Sequence, residues 1–111
     1  MQREIEVGTD TISILQGQDG VYDGATIFDA ALVLIHYLIK AQANGKLSPS
    51  LDGGTAIDLG SGTGVVGIAA AKLGAKVTLS DLEEGQGLLE QNIAQNFKSE
   101  DEQCRAVTLK W

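Results

Sequence analysis

Asp58, the alternating glycines Gly60, Gly62 and Gly64 with Ser61 between the first two, and Asp81 are the residues whose types and spacing could do chemistry. Thr55-Ala56-Ile57-Asp58-Leu59 reads as a strand, Gly60-Ser61-Gly62-Thr63-Gly64 as a turn, and Val65 as the start of a helix. In that geometry the glycines let a ligand approach the backbone and the helix start offers free N–H groups. Asp81, at the end of the next apolar run, stands one strand away, where a carboxylate can grip ribose hydroxyls. The expected ligand is therefore an adenosine-containing cofactor.

Two cofactors fit the glycine spacing. Gly62-Thr63-Gly64-Val65-Val66-Gly67 also satisfies the dinucleotide pattern, with glycines at its first, third and sixth places. Asp58 discriminates between them, because a fixed negative charge beside the loop repels a pyrophosphate and attracts a ligand that carries positive charge. S-adenosylmethionine has a sulfonium and an ammonium group, so the acidic strand end favours it. A nicotinamide dinucleotide remains the competing reading, since both ligands present a ribose to Asp81.

The surrounding chain reads as the elements that must hold this loop. Residues 3–7 and 11–16 are β-branched runs separated by Gly8-Thr9-Asp10, a hairpin signal, and residues 16–25 read as a loop running towards the ligand. Residues 29–43 form a helix with Asp29 at its N-cap; apolar residues cover most of its surface, so it should be buried on more than one side, with His36 and Lys40 on a polar edge. After a connecting loop at 46–54 come the strand 55–59, an alanine-rich helix at 65–73 closed by Gly74, and a strand at 75–80. A helix at 82–97, weakened at its start by Gly85 and Gly87, a charged loop at 98–103 and a strand at 105–111 complete the chain. The strand-helix-strand order makes this an α/β fold with a parallel sheet, divided into an N-terminal hairpin and loop (1–28) and a cofactor-binding unit (29–111).

Composition narrows the class further. The chain has 111 residues, which allows one domain or part of one. Fifteen acidic against eight basic residues give a net charge of -7, which disfavours nucleic acid, since phosphate binding needs clustered Lys and Arg. Cys104 is the only cysteine, so no intrachain disulfide and no cysteine metal cluster can form, and it reads as a small strand residue. No metal site is expected. Met1 to Asp10 lacks the apolar core of a signal peptide, and the longest apolar run, 30–39, is about half of the roughly 20 residues that span a bilayer. No membrane partner is expected, and the cytoplasm is the expected compartment, with the nucleus as the other option.

Four segments together resemble a known family. Phe28-Asp29-Ala30-Ala31-Leu32-Val33-Leu34, Asp58-Leu59-Gly60-Ser61-Gly62-Thr63-Gly64, Ala71-Lys72-Leu73-Gly74-Ala75-Lys76-Val77-Thr78 and Ser80-Asp81-Leu82 are similar to the seven-strand protein-lysine methyltransferases of the methyltransferase-21 type. Asp81-Leu82-Glu83-Glu84 and Leu109-Lys110-Trp111 look most like the branch that methylates a lysine of the valosin-containing protein, an AAA ATPase chaperone.

The resemblance implies a Rossmann-like class I methyltransferase fold with strand order 3-2-1-4-5-7-6, of which this chain would hold the N-terminal half: strands 1 to 3, their flanking helices and a preceding hairpin. The first of these strands would then be an uncovered edge, so either the chain is truncated or a partner completes the sheet. By the same resemblance Gly60, Ser61 and Gly62 would line the methionine and ribose part of S-adenosylmethionine, Asp81 would hold the ribose hydroxyls, and Trp111 would pack near the adenine. Phe28 stands where the family usually has tryptophan, which keeps an aromatic wall but loses an indole N–H donor.

The implied reaction is in-line displacement by a neutral lysine amine on the sulfonium methyl group, driven by positioning in a dry channel. Protein substrates follow, an AAA ATPase or other chaperone among them. The acidic-x-x-tyrosine motif that shapes the family's lysine channel lies beyond this chain's last strand, and no catalytic residue is named. A truncated product that binds cofactor or a partner protein without turnover is the alternative reading.

Overall fold

The computed structural model describes residues 2–17 and 26–110. The chain opens with a hairpin of β1 (Gln2–Val7) and β2 (Asp10–Leu15), antiparallel, with Val7 paired to Asp10 across the turn at Gly8-Thr9. Asp10 therefore belongs to a strand, and only two residues remain in the turn. Part of the expected 16–25 loop, 18–25, lies outside the described residues. On its far side the Ile27 N–H donates to Gln16 Oε1 at 2.9 Å, which ties the end of the hairpin to the start of α1 (Asp29–Ala43).

A three-stranded parallel sheet follows, ordered β3 (Thr55–Leu59), β4 (Lys76–Asp81), β5 (Cys104–Thr108), with β4 in the centre. Its register pairs Asp58 with Leu79 and Leu79 with Ala106, so Ala56, Asp58, Val77, Leu79, Cys104 and Ala106 share one face. That face is covered by α2 (Val65–Lys72) and α3 (Gln86–Asn96). A single 3-10 turn at Glu83–Gly85 replaces the first part of the helix expected from Leu82, as Gly85 and Gly87 would suggest. Val7, Ile12 and Ile14 of the hairpin join Val65, Ile68, Leu79 and Leu89 in one core cluster. Cys104 lies buried in β5, where burial pushes its thiol up to about 12.

Helix α1 departs from expectation. Phe28, not Asp29, occupies the N-cap and no side chain caps the helix; Asp29 sits in the first turn, where its carboxylate faces the positive end of the helix. Only Ile35 and Ala41 are buried, whereas Val33, Leu34 and Tyr37 are exposed. The helix packs on α2 along one side, and Val33, Leu34 and Tyr37 lie on the part of its circumference that stays exposed. The opposite face of the sheet is likewise open: Ile57 and Leu59 on the outer strand β3 are each 57% exposed. Among the described residues no helix is long and apolar enough to cross a membrane.

Candidate functional site

The turn between β3 and α2 reverses the chain in five residues. Gly60, Gly62 and Gly64 have φ of +67°, +59° and +89°, a left-handed backbone that a side chain would strain, which is why glycine recurs at alternate positions. Ser61 pins this turn to the strand ends. Its hydroxyl donates to the Asp58 carbonyl at 2.9 Å and accepts from the Ser80 N–H at 3.0 Å, while its N–H donates to the Ser80 carbonyl at 2.8 Å. The Ser80 hydroxyl adds a further bond to the Asp58 carbonyl at 2.9 Å. Ser61 thus shapes the loop with polar groups already engaged inside the protein.

Asp81 ends β4 and holds the loop from the other side. Its Oδ2 accepts from the Gly62 N–H and its Oδ1 from the Leu82 N–H, both at 2.7 Å. A carboxylate offers about four lone-pair sites, so it can accept several hydrogen bonds at once. Asp58 is treated differently. Its Oδ2 is buried with no hydrogen-bond partner in the structure, and loss of hydration holds the carboxyl above its ordinary range. The Ser61 hydroxyl, bonded to the Asp58 carbonyl rather than to the carboxylate, and the Gly67 N–H pull the other way, and the Asp81 charge adds to the rise.

These groups meet at one cavity of about 560 Å³ outside the C-terminal ends of β3 and β4, lined by Phe28, Asp58, Gly60, Ser61, Gly62 and Asp81 among others. All the candidate residues lie on it except Trp111, which falls outside the described residues. Phe28, 61% exposed, stands at the rim. The structure adds a third carboxylate, Glu84, which the sequence suggests only as a favourable residue in a helix's first turn. It also adds Ile27 and Val65 as apolar wall. A neighbouring cavity of about 390 Å³ shares Gly60, Asp81 and Leu82 and extends along Leu109 and Lys110. The Leu109 N–H donates to the Asp81 carbonyl at 3.0 Å, which ties the end of β5 to that of β4, and Gln86 Nε2 donates to the Val107 carbonyl at 2.9 Å. A larger groove of about 800 Å³, around Lys72, Phe97 and Cys104, lies by the N-terminal end of β5 and contains none of the candidate residues.

The chain that carries this cavity has relatives among known proteins. The family described as lysine methyltransferase matches residues 9–111. This chain belongs to that family. Protein N-lysine methyltransferase METTL21A of Mus musculus is 40% identical over 87 residues, covering 78% of this chain and 37% of the relative. Protein-lysine methyltransferase METTL21E of Bos taurus is 39% identical over 89 residues, covering 79% and 29%. EEF1A lysine methyltransferase 3 of Xenopus tropicalis is 37% identical over 75 residues, covering 68% and 31%. The chain thus spans about a third of the length of the lysine methyltransferases it matches.

Solved structures agree on the fold. One from Streptococcus mutans, assigned as a SAM-dependent methyltransferase, superposes with a TM-score of 0.63 at 24% identity, covering 98% of this chain and 26% of its own. Another from Pyrococcus horikoshii, assigned as an RNA methyltransferase, gives 0.58 at 26% identity, covering 85% and 44%. The architecture is that of the Rossmann-like methyltransferases, here as a parallel sheet with flanking helices and an antiparallel hairpin. S-adenosylmethionine is the cofactor that goes with this lysine methyltransferase family and this fold.

Proposed function

We propose that this chain is the S-adenosylmethionine-binding part of a protein-lysine methyltransferase. The observation that carries the reading is Asp58 Oδ2, a carboxylate oxygen buried without a hydrogen-bond partner, on a residue that lines one cavity with Asp81 and Glu84. A cavity with three carboxylates suits a ligand with cationic groups and repels a pyrophosphate, so the nicotinamide reading gives way. The residues present fit the cofactor. Asp81 is the group to accept from the ribose hydroxyls, with Gly60 and Gly62 giving close backbone approach. Asp58 and Glu84 supply negative charge to the methionine end, and Phe28 closes the rim as an aromatic wall. Leu82, Leu109 and Lys110, with Trp111 next in sequence, form the side suited to the adenine.

When bound, S-adenosylmethionine supplies a methyl group activated by its sulfonium. The work of this chain is to hold the cofactor in one orientation. Catalysis by positioning needs no metal, and no general base is named among these residues. Family membership supports a protein lysine as acceptor. An AAA ATPase or other chaperone as the substrate protein rests on Asp81-Leu82-Glu83-Glu84 and Leu109-Lys110-Trp111 alone. The cytosol or nucleus is the compartment that suits a buried lone thiol at Cys104.

A second reading is binding of cofactor or of a partner protein without turnover, with the exposed Ile57 and Leu59 on the outer strand β3 as a surface for a partner. Calorimetric titration with S-adenosylmethionine and with a nicotinamide dinucleotide tests the cofactor. Saturable binding of the first alone is expected, lost in Asp81→Ala; tighter dinucleotide binding would overturn it. Transfer of labelled methyl to a purified chaperone separates the two readings, since turnover by the 111-residue chain excludes the binding-only one.

A further inference from the structure

Asn92 is fully buried on α3 and touches two distant parts of the chain at once. Its Oδ1 accepts from the Leu15 N–H at 2.7 Å, and its Nδ2 donates to the Leu15 carbonyl at 2.9 Å and to the Thr63 carbonyl at 2.8 Å. Asn96, one turn later, repeats only the hairpin half of this pattern. Its Oδ1 accepts from the Ser13 N–H and its Nδ2 donates to the Ser13 carbonyl, both at 2.8 Å, while the remaining Nδ2 bond goes to the Asn92 carbonyl within α3. Two residues along a strand advance about 6.8 Å and four along a helix about 6 Å, so the two amides match the repeat of the free edge of β2. Helix α3 thereby does for β2 what a third strand would do, and leaves no peptide group of Ser13 or Leu15 unpaired.

The bond to Thr63 gives this edge a second consequence. Thr63 lies between Gly62 and Gly64 and is 2% exposed, so its carbonyl would be buried and unsatisfied without Asn92. The loop is consequently held from two sides: Asp81 takes the Gly62 N–H on the cavity side and Asn92 takes the next carbonyl on the hairpin side. Glycine at 62 and 64 lets the intervening peptide units rotate at low cost, so hydrogen bonds rather than sterics select the loop's conformation.

We propose that Asn92 is a positioning residue for the cofactor loop, and that through it the docking of the N-terminal hairpin sets the conformation in which Gly60 to Gly64 receive S-adenosylmethionine. The proposal rests on the cofactor reading above. Coupling of this kind is reciprocal, so bound cofactor must in turn tighten the hairpin.

Asn92→Ala and Asn96→Ala separate the two contacts, because the first removes the bridge from Leu15 to Thr63, whereas the second releases Ser13 alone and leaves that bridge in place. Amide hydrogen exchange without ligand is the first readout. Exchange at Gly64 and Val65 rises about tenfold or more in Asn92→Ala, as expected for loss of a buried bond, and stays within about twofold of wild type in Asn96→Ala. Calorimetry with S-adenosylmethionine shows the same split, a Kd about tenfold weaker against one nearly unchanged. In the wild type, the cofactor slows exchange at the Leu15 N–H. Equal loosening of the loop by both variants, or an unchanged loop in Asn92→Ala, overturns the proposal. Asn92→Ser, which keeps a hydroxyl in the buried site, takes the place of the alanine variant if that fails to fold. Failure of every chain to bind S-adenosylmethionine defeats the cofactor reading, while the ligand-free exchange comparison still decides the coupling.

Discussion

Asp58 and Asp81 end neighbouring strands of one sheet and face one cavity, yet their environments divide their roles. Asp81 is bonded through both oxygens to backbone N–H groups, whereas Asp58 keeps an unpartnered buried oxygen. Burial holds the Asp58 proton more tightly in the folded chain than in the unfolded one, so its contribution to stability is fullest below the ordinary value of 3.8 and is lost as pH rises through the higher folded value. Asp58→Asn removes this dependence. Melting scans between pH 4 and pH 7 should show the variant gaining on wild type as pH rises, by roughly 1 kcal/mol at neutrality. The same substitution should weaken S-adenosylmethionine binding about tenfold or more, because the charge that faces the cationic ligand is gone. A site residue that stabilises the empty protein when neutralised is one whose strain is retained for binding.

Among the elements, α2 is the one whose composition fixes the site's shape. Ala69, Ala70 and Ala71 are buried, and Gly67 faces β3 and β4 where an added Cβ would overlap Leu79 Cδ2 and stand 3.1 Å from Asp58 Oδ2. The sixth place of the glycine pattern therefore serves helix-to-sheet packing, while Gly60, Gly62 and Gly64 serve the turn. Gly67→Ala should destabilise by about 1–3 kcal/mol, read as a lower urea midpoint, because neither the strand nor the helix can retreat without disturbing the loop. Helix α1 shows the limit of reading a helix alone. Leu34 and Ile35 adjoin in sequence and look equally suited to a core, but α2 lies against only one side, so Ile35 is buried and Leu34 exposed. Apolar periodicity states which residues could be buried; the neighbours decide which are.

Among the described residues, the sheet is covered on one face and open on the other. Ile57 and Leu59 lie on an outer strand, and Val33 and Tyr37 on the free side of α1. An unpaired strand edge with exposed apolar side chains favours association, opposed here by a net charge of -7. Sedimentation velocity over a concentration series should show self-association of the wild-type chain. Ile57→Lys, which places a charge on that edge without touching the cofactor cavity, should reduce it and leave S-adenosylmethionine affinity unchanged. The hairpin, by contrast, is integral, sharing its core with the helices and its free edge with Asn92 and Asn96.

The glycine-rich turn was legible in residue order because its parts are local: a strand, a turn that only glycine can make at alternate positions, and a helix start within 13 consecutive residues from Thr55 to Gly67. The position of Asp81 beside that turn was legible too, since the next strand of a strand-helix-strand unit must return beside the first. Other features depended on contacts between residues far apart in the chain. The unpartnered Oδ2 of Asp58, the place of Glu84 on the cavity and the one-sided burial of α1 follow from how elements pack, which periodicity does not encode. Asn92 and Asn96 are the clearest case. In sequence they are polar residues on an amphipathic helix, and nothing local distinguishes them from a solvated face. Only when α3 lies along β2 do their amides meet the backbone of Ser13 and Leu15, 83 and 77 residues away, and only then does Asn92 reach Thr63. A hydrogen bond needs both partners in place within about 3 Å, and for groups so distant in the chain that proximity is created by folding alone.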